Sequence, residues 1–532
     1  MKMRLLPLLC TSLFLAPAFG HDDDSGAGKL GKLGTVKFAT SCDPKMQADF
    51  ERAVAMLHSF AYIPAEKAFD EILVKDPSCA IATWGTASII MSNPLAGVGA
   101  SAEGAKKAQA ALEKGRAIGA KTERERGYIE AVGAYYDNWQ GRPEKDRQLT
   151  RSQAYEALAA KYPDDDEAQI FNALYIAGTQ SQADQTFAAY GRAVAILEPE
   201  FRKYPDHPGV AHYLIHSYDA PPLAEKGLVA ARRYADIAPA APHALHMPSH
   251  IFTRVGAWEE SIATNKRSFD ASKAGGDYPE AQHASDYAVY ALLQLGRDDE
   301  ARRTMELAAT ATGPASPSPA GPYAIAAMPA RLAMERGDWK AASQLQVTPS
   351  KMPFTEALTY FSRAMGAARM GDLAAAEADA ANLAVVHKKL EDAKNRYWAT
   401  EVEIQRLAVA GWIAHKGGNA EEGLKLMRAA ADLEDKNEKH IVTPGRIVPA
   451  RELLGEMLME QKQPALALKE FEASQVREPN RLRGYYNAAL AAAESGDRTK
   501  AAMYYGKLVK LTEKSDGTRP ELLRAKMALA SR

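Results

Sequence analysis

Shifted by 34 residues, this chain partly superimposes on itself. "ELLGEMLMEQKQPALALKEFEASQVREP" falls on "YNAALAAAESGDRTKAAMYYGKLVKL", with Ala467 on Ala501 and Phe471 on Tyr505. The same interval separates Gly337 from Gly371, in "MERGDWKAAS" and "RMGDLAAAEA", and Pro205 from Pro239. A fixed period of this size is the mark of a repeat array, in which no unit buries its apolar face alone. Alanine dominates the repeats and period-two alternation is absent, so the units are helical. At 532 residues the chain is too long for one compact core, and an array meets that constraint.

Each unit carries a small or Gly turn, an Ala eight to twelve residues before a Pro, and an aromatic between them. This resembles the tetratricopeptide repeat, as do "LHSFAYIPAEKAFDEILVKDP" (57–77) and "VGAWEESI" (255–262). The resemblance covers most of residues 45–520. It implies an all-α protein of helix-turn-helix repeats stacked into an α-solenoid superhelix, with the first helix of each unit lining a concave groove. The segment "TGPASPSPAGP", 312–322, breaks the helical pattern and divides an N-terminal array, 41–311, from a C-terminal one, 323–532. Together, "HYLIHSYDAP" and "HALHMPSHIFTRVGAWEESIATNK" resemble an exported bacterial subgroup of tetratricopeptide proteins with HxxxH and HxxHxxxH stretches in successive units. That resemblance implies a fold and a binding habit, with a protein or peptide in the groove, and no particular reaction.

The first twenty residues, "MKMRLLPLLCTSLFLAPAFG", have a basic start, an apolar middle and a small-residue end. They read as a cleaved signal peptide, and the location as periplasmic or secreted. A membrane span needs roughly 20 apolar residues, and this run is shorter and holds two prolines; no later run is long enough. Residues 21–40 begin "HDDDSGAGKLGKLG", a Gly-rich, charged leader expected to be disordered. Formal net charge is -1 and becomes -3 without Lys2 and Arg4, with no basic stripe for nucleic acid. Cys42 and Cys79 remain after cleavage, an even pair in an oxidising compartment, and are expected to be joined. Antiparallel helices bring the two ends of that unit together, and by chain entropy such a bridge stabilises by roughly 3 to 4 kcal/mol.

The histidines carry the functional question. Six of 12 lie within residues 212–283. His212 and His216 precede His246 and His250 by 34 residues, so both pairs occupy positions 5 and 9 of their units. His243 stands at position 2 of its unit. The next unit is longer, and a shift of 40 sends His243 to His283 and His246 to Asp286. In the tetratricopeptide family these positions face the groove. Gly209 occupies position 2 of the first of these units, and His58 comes out on the groove side of the first repeat.

Two His at i and i+4 grip one metal from a single helix, and neighbouring helices complete the set. The metal-ligand candidates are His212, His216, His243, His246, His250, His283 and Asp286. Imidazole suits zinc, copper, iron and nickel; zinc or copper is the expected class, and the lack of cysteine argues against purely Cu(I) chemistry. His58, Asp219, Arg254 and Tyr290 are expected to support the groove, Asp219 as a partner that orients an imidazole. Pro248 is expected to kink its helix and turn His250 towards the groove. Ser249 has no GxSxG surroundings and is read as packing. The main reading is therefore an exported scaffold binding a divalent metal, or a metal-linked partner, through its histidines. Its alternatives are a metal-free peptide-binding scaffold, for which Arg254, Tyr213, Tyr218 and Tyr290 would serve, and a metal-dependent hydrolase or oxidase. No nucleotide loop, HExxH or paired-carboxylate signature favours the enzyme.

Overall fold

The computed structural model describes residues 31–313, 318–517 and 519–531, and no strand occurs among them. The expected signal peptide lies outside the described residues, as do 314–317 of the Pro/Gly-rich loop. That loop ends earlier than its composition suggests. The helix Ala320–Glu335 starts inside it, with Pro319 at its N-cap and Pro322 in its first turn, where a missing N–H costs nothing.

Helices alternate down the chain as antiparallel pairs, an α-solenoid. Pro208–Tyr218 pairs with Leu228–Ile237, the His243 segment with Trp258–Ala274, and Tyr278–Gln294 with Asp298–Ala309. The turn within a unit is set by residues such as Gly256. It adopts φ 69°, which closes the helix Pro248–Val255, and a Cβ there would meet the Asn480 side chain at 2.5 Å. Pro248 ends one helix and begins another: Pro242–His246 and Pro248–Val255 share Met247, with Pro248 at N1 of the second.

The array turns back on itself. Gln47–His58 packs against Pro208–Tyr218, and Tyr278–Gln294 touches Leu482–Glu494. Two features line the inside of these turns. Residues 435–449, between Ala420–Glu434 and Ala450–Glu460, form no helix, yet Lys439, His440, Val442, Thr443, Ile447 and Val448 are buried. At the other end residues 31–40 form no helix or strand and are tied down by backbone bonds: Thr35 N–H donates to the Asp206 carbonyl at 3.0 Å, and Ala240 N–H to the Lys32 carbonyl at 3.2 Å. Leu33, Val36 and Phe38 are buried there, Phe38 against the rings of Phe50, Trp84 and Tyr128. The leader expected to be disordered through residue 40 is therefore ordered from 31 on, because these three apolar side chains outweigh the glycines around them. Cys42 and Cys79 are joined, with Cα atoms 4.6 Å apart.

Candidate metal centre

Three first helices carry the histidines: Pro208–Tyr218, the pair Pro242–His246 and Pro248–Val255, and Tyr278–Gln294. The expectation of an open concave groove fails here. Every residue of Pro208–Tyr218 is buried, and His212, His216, His246, His250 and His283 are at most 5% exposed. The physical reason is the 435–449 segment, which occupies the inner side of the turn. The Tyr287 hydroxyl lies 3.0 Å from both the Ile441 and Thr443 carbonyls, and Lys439 Nζ reaches Asp219 Oδ2 at 3.3 Å.

Six histidines converge. His212, His216 and His243 form one group and His246, His250 and His283 another, and within each the ligand atoms lie within 4.8 Å of one another. Hydrogen bonds fix which nitrogen faces inward. His250 Nδ1 lies 2.8 Å from Asp219 Oδ2, an acceptor only, so Nδ1 carries the proton. His246 Nδ1 lies 2.7 Å from Asn265 Oδ1, and the Asn265 amide is oriented by its own donation to the Ser261 carbonyl at 2.7 Å. Both Nε2 atoms therefore present lone pairs, and they face each other at 3.1 Å. Nothing neutral satisfies that contact. Nitrogen ligands on a tetrahedral zinc stand about 3.3 Å apart, given Zn–N bonds of 2.0 to 2.1 Å.

The first group repeats this chemistry. His212 Nδ1 donates to the His58 carbonyl at 2.7 Å, and His243 Nδ1 to Glu280 Oε1 at 3.1 Å. Their Nε2 atoms are buried and unpartnered, as are both nitrogens of His216 and Nδ1 of His283. Each unpaired buried polar atom costs roughly 1 to 3 kcal/mol. Burial holds His212, His216 and His246 well below the ordinary imidazole value, with neighbouring imidazoles adding to it, and takes His283 to about 3. Burial also lowers His250 against the pull of Asp219. Neutral imidazole, the form that binds a metal, is thus the resting state of these five.

Other expected residues take different places. Asp286, expected among the ligands, is not in either group: it lies in a fully buried ion pair with Arg331, Oδ1 to Nε 2.8 Å. The repeat register brought Asp286 to a ligand position, but Arg331 comes from a later unit and claims it. Arg254 binds Asp219 at 2.7 Å and Glu438 at 2.8 Å, so it anchors the 435–449 segment beside the cluster. Burial would raise the Asp219 carboxyl, but Lys439, Arg254 and His250 together keep it well below its usual range. Tyr290 belongs to another network, accepting from Arg481 at 2.7 Å and donating to Glu478 at 2.9 Å. Tyr218 donates to Glu198 at 2.9 Å, on the second helix of the preceding unit.

His58 supports the site through its carbonyl, while its ring is saturated: Nδ1 meets Tyr213 Oη at 2.9 Å and Nε2 meets Glu167 Oε2 at 2.9 Å. His207 Nε2 holds the other Glu167 oxygen at 2.9 Å. His58, Glu167 and His207 have ligand spacing too, but their facing atoms already bond one another. Gly209 makes room for His58; a Cβ there would stand 2.4 Å from Nδ1. Cys42, Cys79 and Asp76 also cluster, and the disulfide removes both sulfurs as ligands.

Sequence reasoning missed Asn265, Glu280, Lys439 and two aromatic neighbours. Phe60, held at φ 52°, has its ring 4.4 Å from that of His212 and 5.4 Å from that of His243. Tyr287 stands 4.8 Å from His246 and 5.2 Å from His283. Glu280 and Tyr287 share a helix with His283, three residues before it and four after it, the spacing that could have flagged them.

No family model matches the chain, and no curated protein matches it. Among solved structures it resembles the crystal structure of the APC/C hetero-tetramer Cut9-Hcn1, at 12% identity over 91% of this chain and 95% of that chain, with a TM-score of 0.30. So distant a likeness says nothing about chemistry. No helix of the described residues is long and apolar enough to cross a membrane.

Proposed function

We propose that this protein is an exported helical-repeat scaffold that binds a divalent transition metal of the zinc and copper class through His212, His216, His243, His246, His250 and His283. One observation carries the reading. The His246 and His250 lone pairs face each other at 3.1 Å while both opposite nitrogens are committed to acceptors. A cation between them turns that repulsion into ligation. Acceptors behind ligating imidazoles are the usual way a protein fixes their tautomer and raises their basicity. The disulfide and the resemblance of the first twenty residues to a signal peptide support export, as does the likeness to exported tetratricopeptide proteins. Metal-free peptide binding on the concave side finds less support near the histidines, because residues 435–449 already lie there.

Protein purified without a histidine tag and stripped with chelator is expected to bind Zn(II) or Cu(II) by calorimetry. Metal at 100 times its Kd raises stability by about 2.7 kcal/mol per site. The His216→Ala/His250→Ala variant is expected to keep its far-ultraviolet circular dichroism and lose the binding. Wild-type protein that binds neither ion tighter than roughly 1 mM, about -4 kcal/mol, would end the metal reading.

A further inference from the structure

The geometry points to two metal ions rather than one, held in adjacent three-histidine sites that the repeat builds twice; the inference rests on the metal reading above. The ligand atoms do not gather around one centre. They form two sets of three, His212, His216 and His243 in one and His246, His250 and His283 in the other.

The two sets correspond in the repeat positions of their ligands, while the backing carboxylate falls on the third histidine in one and on the second of the pair in the other. Each takes an HxxxH pair from the first helix of one unit and a third histidine from the start of the first helix of the next. In each, one imidazole is backed by a carboxylate, His243 by Glu280 at 3.1 Å and His250 by Asp219 at 2.8 Å. In each, another is backed by an amide carbonyl, His212 by the His58 backbone and His246 by the Asn265 side chain, both at 2.7 Å. The remaining member, His216 or His283, has a buried nitrogen without a partner. An aromatic ring stands beside each set, Phe60 by the first and Tyr287 by the second.

The series stops at both ends for visible reasons. A third set would need position 5 of the next unit, which is Asp286, already bound to Arg331. Extension the other way would need a histidine at position 2 of the first unit, where Gly209 yields its space to the His58 ring.

The sets are neighbours as well as copies. His216 and His250 have ring centroids 5.6 Å apart, and His243 and His246 6.0 Å. Three protein ligands leave a coordination position open on each ion. Six imidazole nitrogens with one outer carboxylate per set suit zinc or copper and give magnesium or calcium, which require oxygen, no hold.

The test is stoichiometry. Tag-free, full-length protein is equilibrated with buffered Zn(II), and bound zinc is counted by mass spectrometry against protein concentration. His243→Gln and His283→Gln each remove one set's third ligand, and in His243→Gln the new side-chain amide replaces the donor to Glu280. The His243→Gln/His283→Gln double variant sets the background of surface-bound zinc. Two zinc ions per wild-type chain are expected, falling to one in each single variant. Saturation at one ion per wild-type chain overturns the pair while leaving metal binding intact, and needs no variant to fold. Loss of all zinc from either single variant, with circular dichroism unchanged, overturns the independence of the two sets. No zinc bound at all overturns the metal reading together with the pair.

Discussion

Two regions of this molecule bury polar groups at comparable depth and treat them oppositely. In the C-terminal half Arg481 is fully buried, and each guanidinium nitrogen is used: Nε to Glu452 at 2.8 Å, Nη1 to Tyr290 at 2.7 Å, Nη2 to Glu335 at 2.7 Å. Arg331 likewise spends its donors on Asp286, Thr443 and the Gly445 and Arg446 carbonyls. In the histidine cluster His212, His243, His246 and His250 are bonded at Nδ1 and unsatisfied at Nε2, and His216 has no partner at either nitrogen. A buried network whose donors are spent serves the fold; buried nitrogens left unpaired are what the proposed metal site would use. On the proposed metal reading, the difference separates structural from ligand-directed burial without any count of histidines.

The largest effect is expected in the closed network. Arg481→Met leaves Glu335 and Glu452 in the interior without the guanidinium that both of them bond, and breaking a buried pair in this way costs about 3–5 kcal/mol. Urea unfolding should show that loss, and the fraction that remains folded should keep wild-type zinc binding. A loss below about 1 kcal/mol would remove the contrast, because the network would then contribute little to the fold.

Much of this could be read in the sequence where the signal is local and periodic. The 34-residue interval gave the helix pairs, Gly256 came out at a unit's turn, and the recurrence of His212 and His216 at His246 and His250 located the cluster. What failed was long-range. Residues 435–449 carry no period and no motif, and only the folded chain shows that they fill the inner side of the turn and make the groove an interior. Asp286 was misplaced for the same reason, since repeat register cannot see Arg331. Asn265 and Glu280 are ordinary helix residues until they stand behind an imidazole. The leader was misjudged because composition averaged Leu33, Val36 and Phe38 away.

The next effect probes the inserted segment. His440 accepts from Val442 N–H at Nδ1, 3.2 Å, and donates from Nε2 to the Ala96 carbonyl, 3.2 Å. Burial takes its pKa down to about 4, with Lys439 adding to the effect. The unfolded chain, at about 6.5, binds the proton first. Stability from this group is therefore whole above pH 6.5 and is lost as pH falls towards 4, by about 3 kcal/mol. His440→Gln should remove that share of the acid sensitivity, read as the difference between variant and wild-type unfolding free energies at pH 7 and pH 4. Equal acid losses in the two proteins would show that the segment is not held by neutral His440, leaving the other buried imidazoles to account for the slope.

The smallest effect sharpens the comparison most, because its sign differs between two histidines of the same cluster region. His58 is closed: Tyr213 and Glu167 take both ring nitrogens. Burial would raise the Glu167 carboxyl, yet His207 and His58 hold it at about 2, so it is ionised and depends on them. His58→Leu removes one of its two partners and should cost about 2 kcal/mol, the usual worth of a buried hydrogen bond to a charge. His216 is equally buried and both its nitrogens are unpartnered. His216→Leu removes two unsatisfied atoms and adds apolar volume, so metal-free protein should gain about 1 kcal/mol. The same substitution should weaken zinc binding in the first set of histidines while His58→Leu, in the protein that still folds, leaves the ligand atoms in place. Thermal unfolding of chelator-treated protein reads the signs directly. If His216→Leu destabilises the metal-free chain as much as His58→Leu does, the open nitrogens are ordinary core packing and the distinction between the two kinds of burial fails.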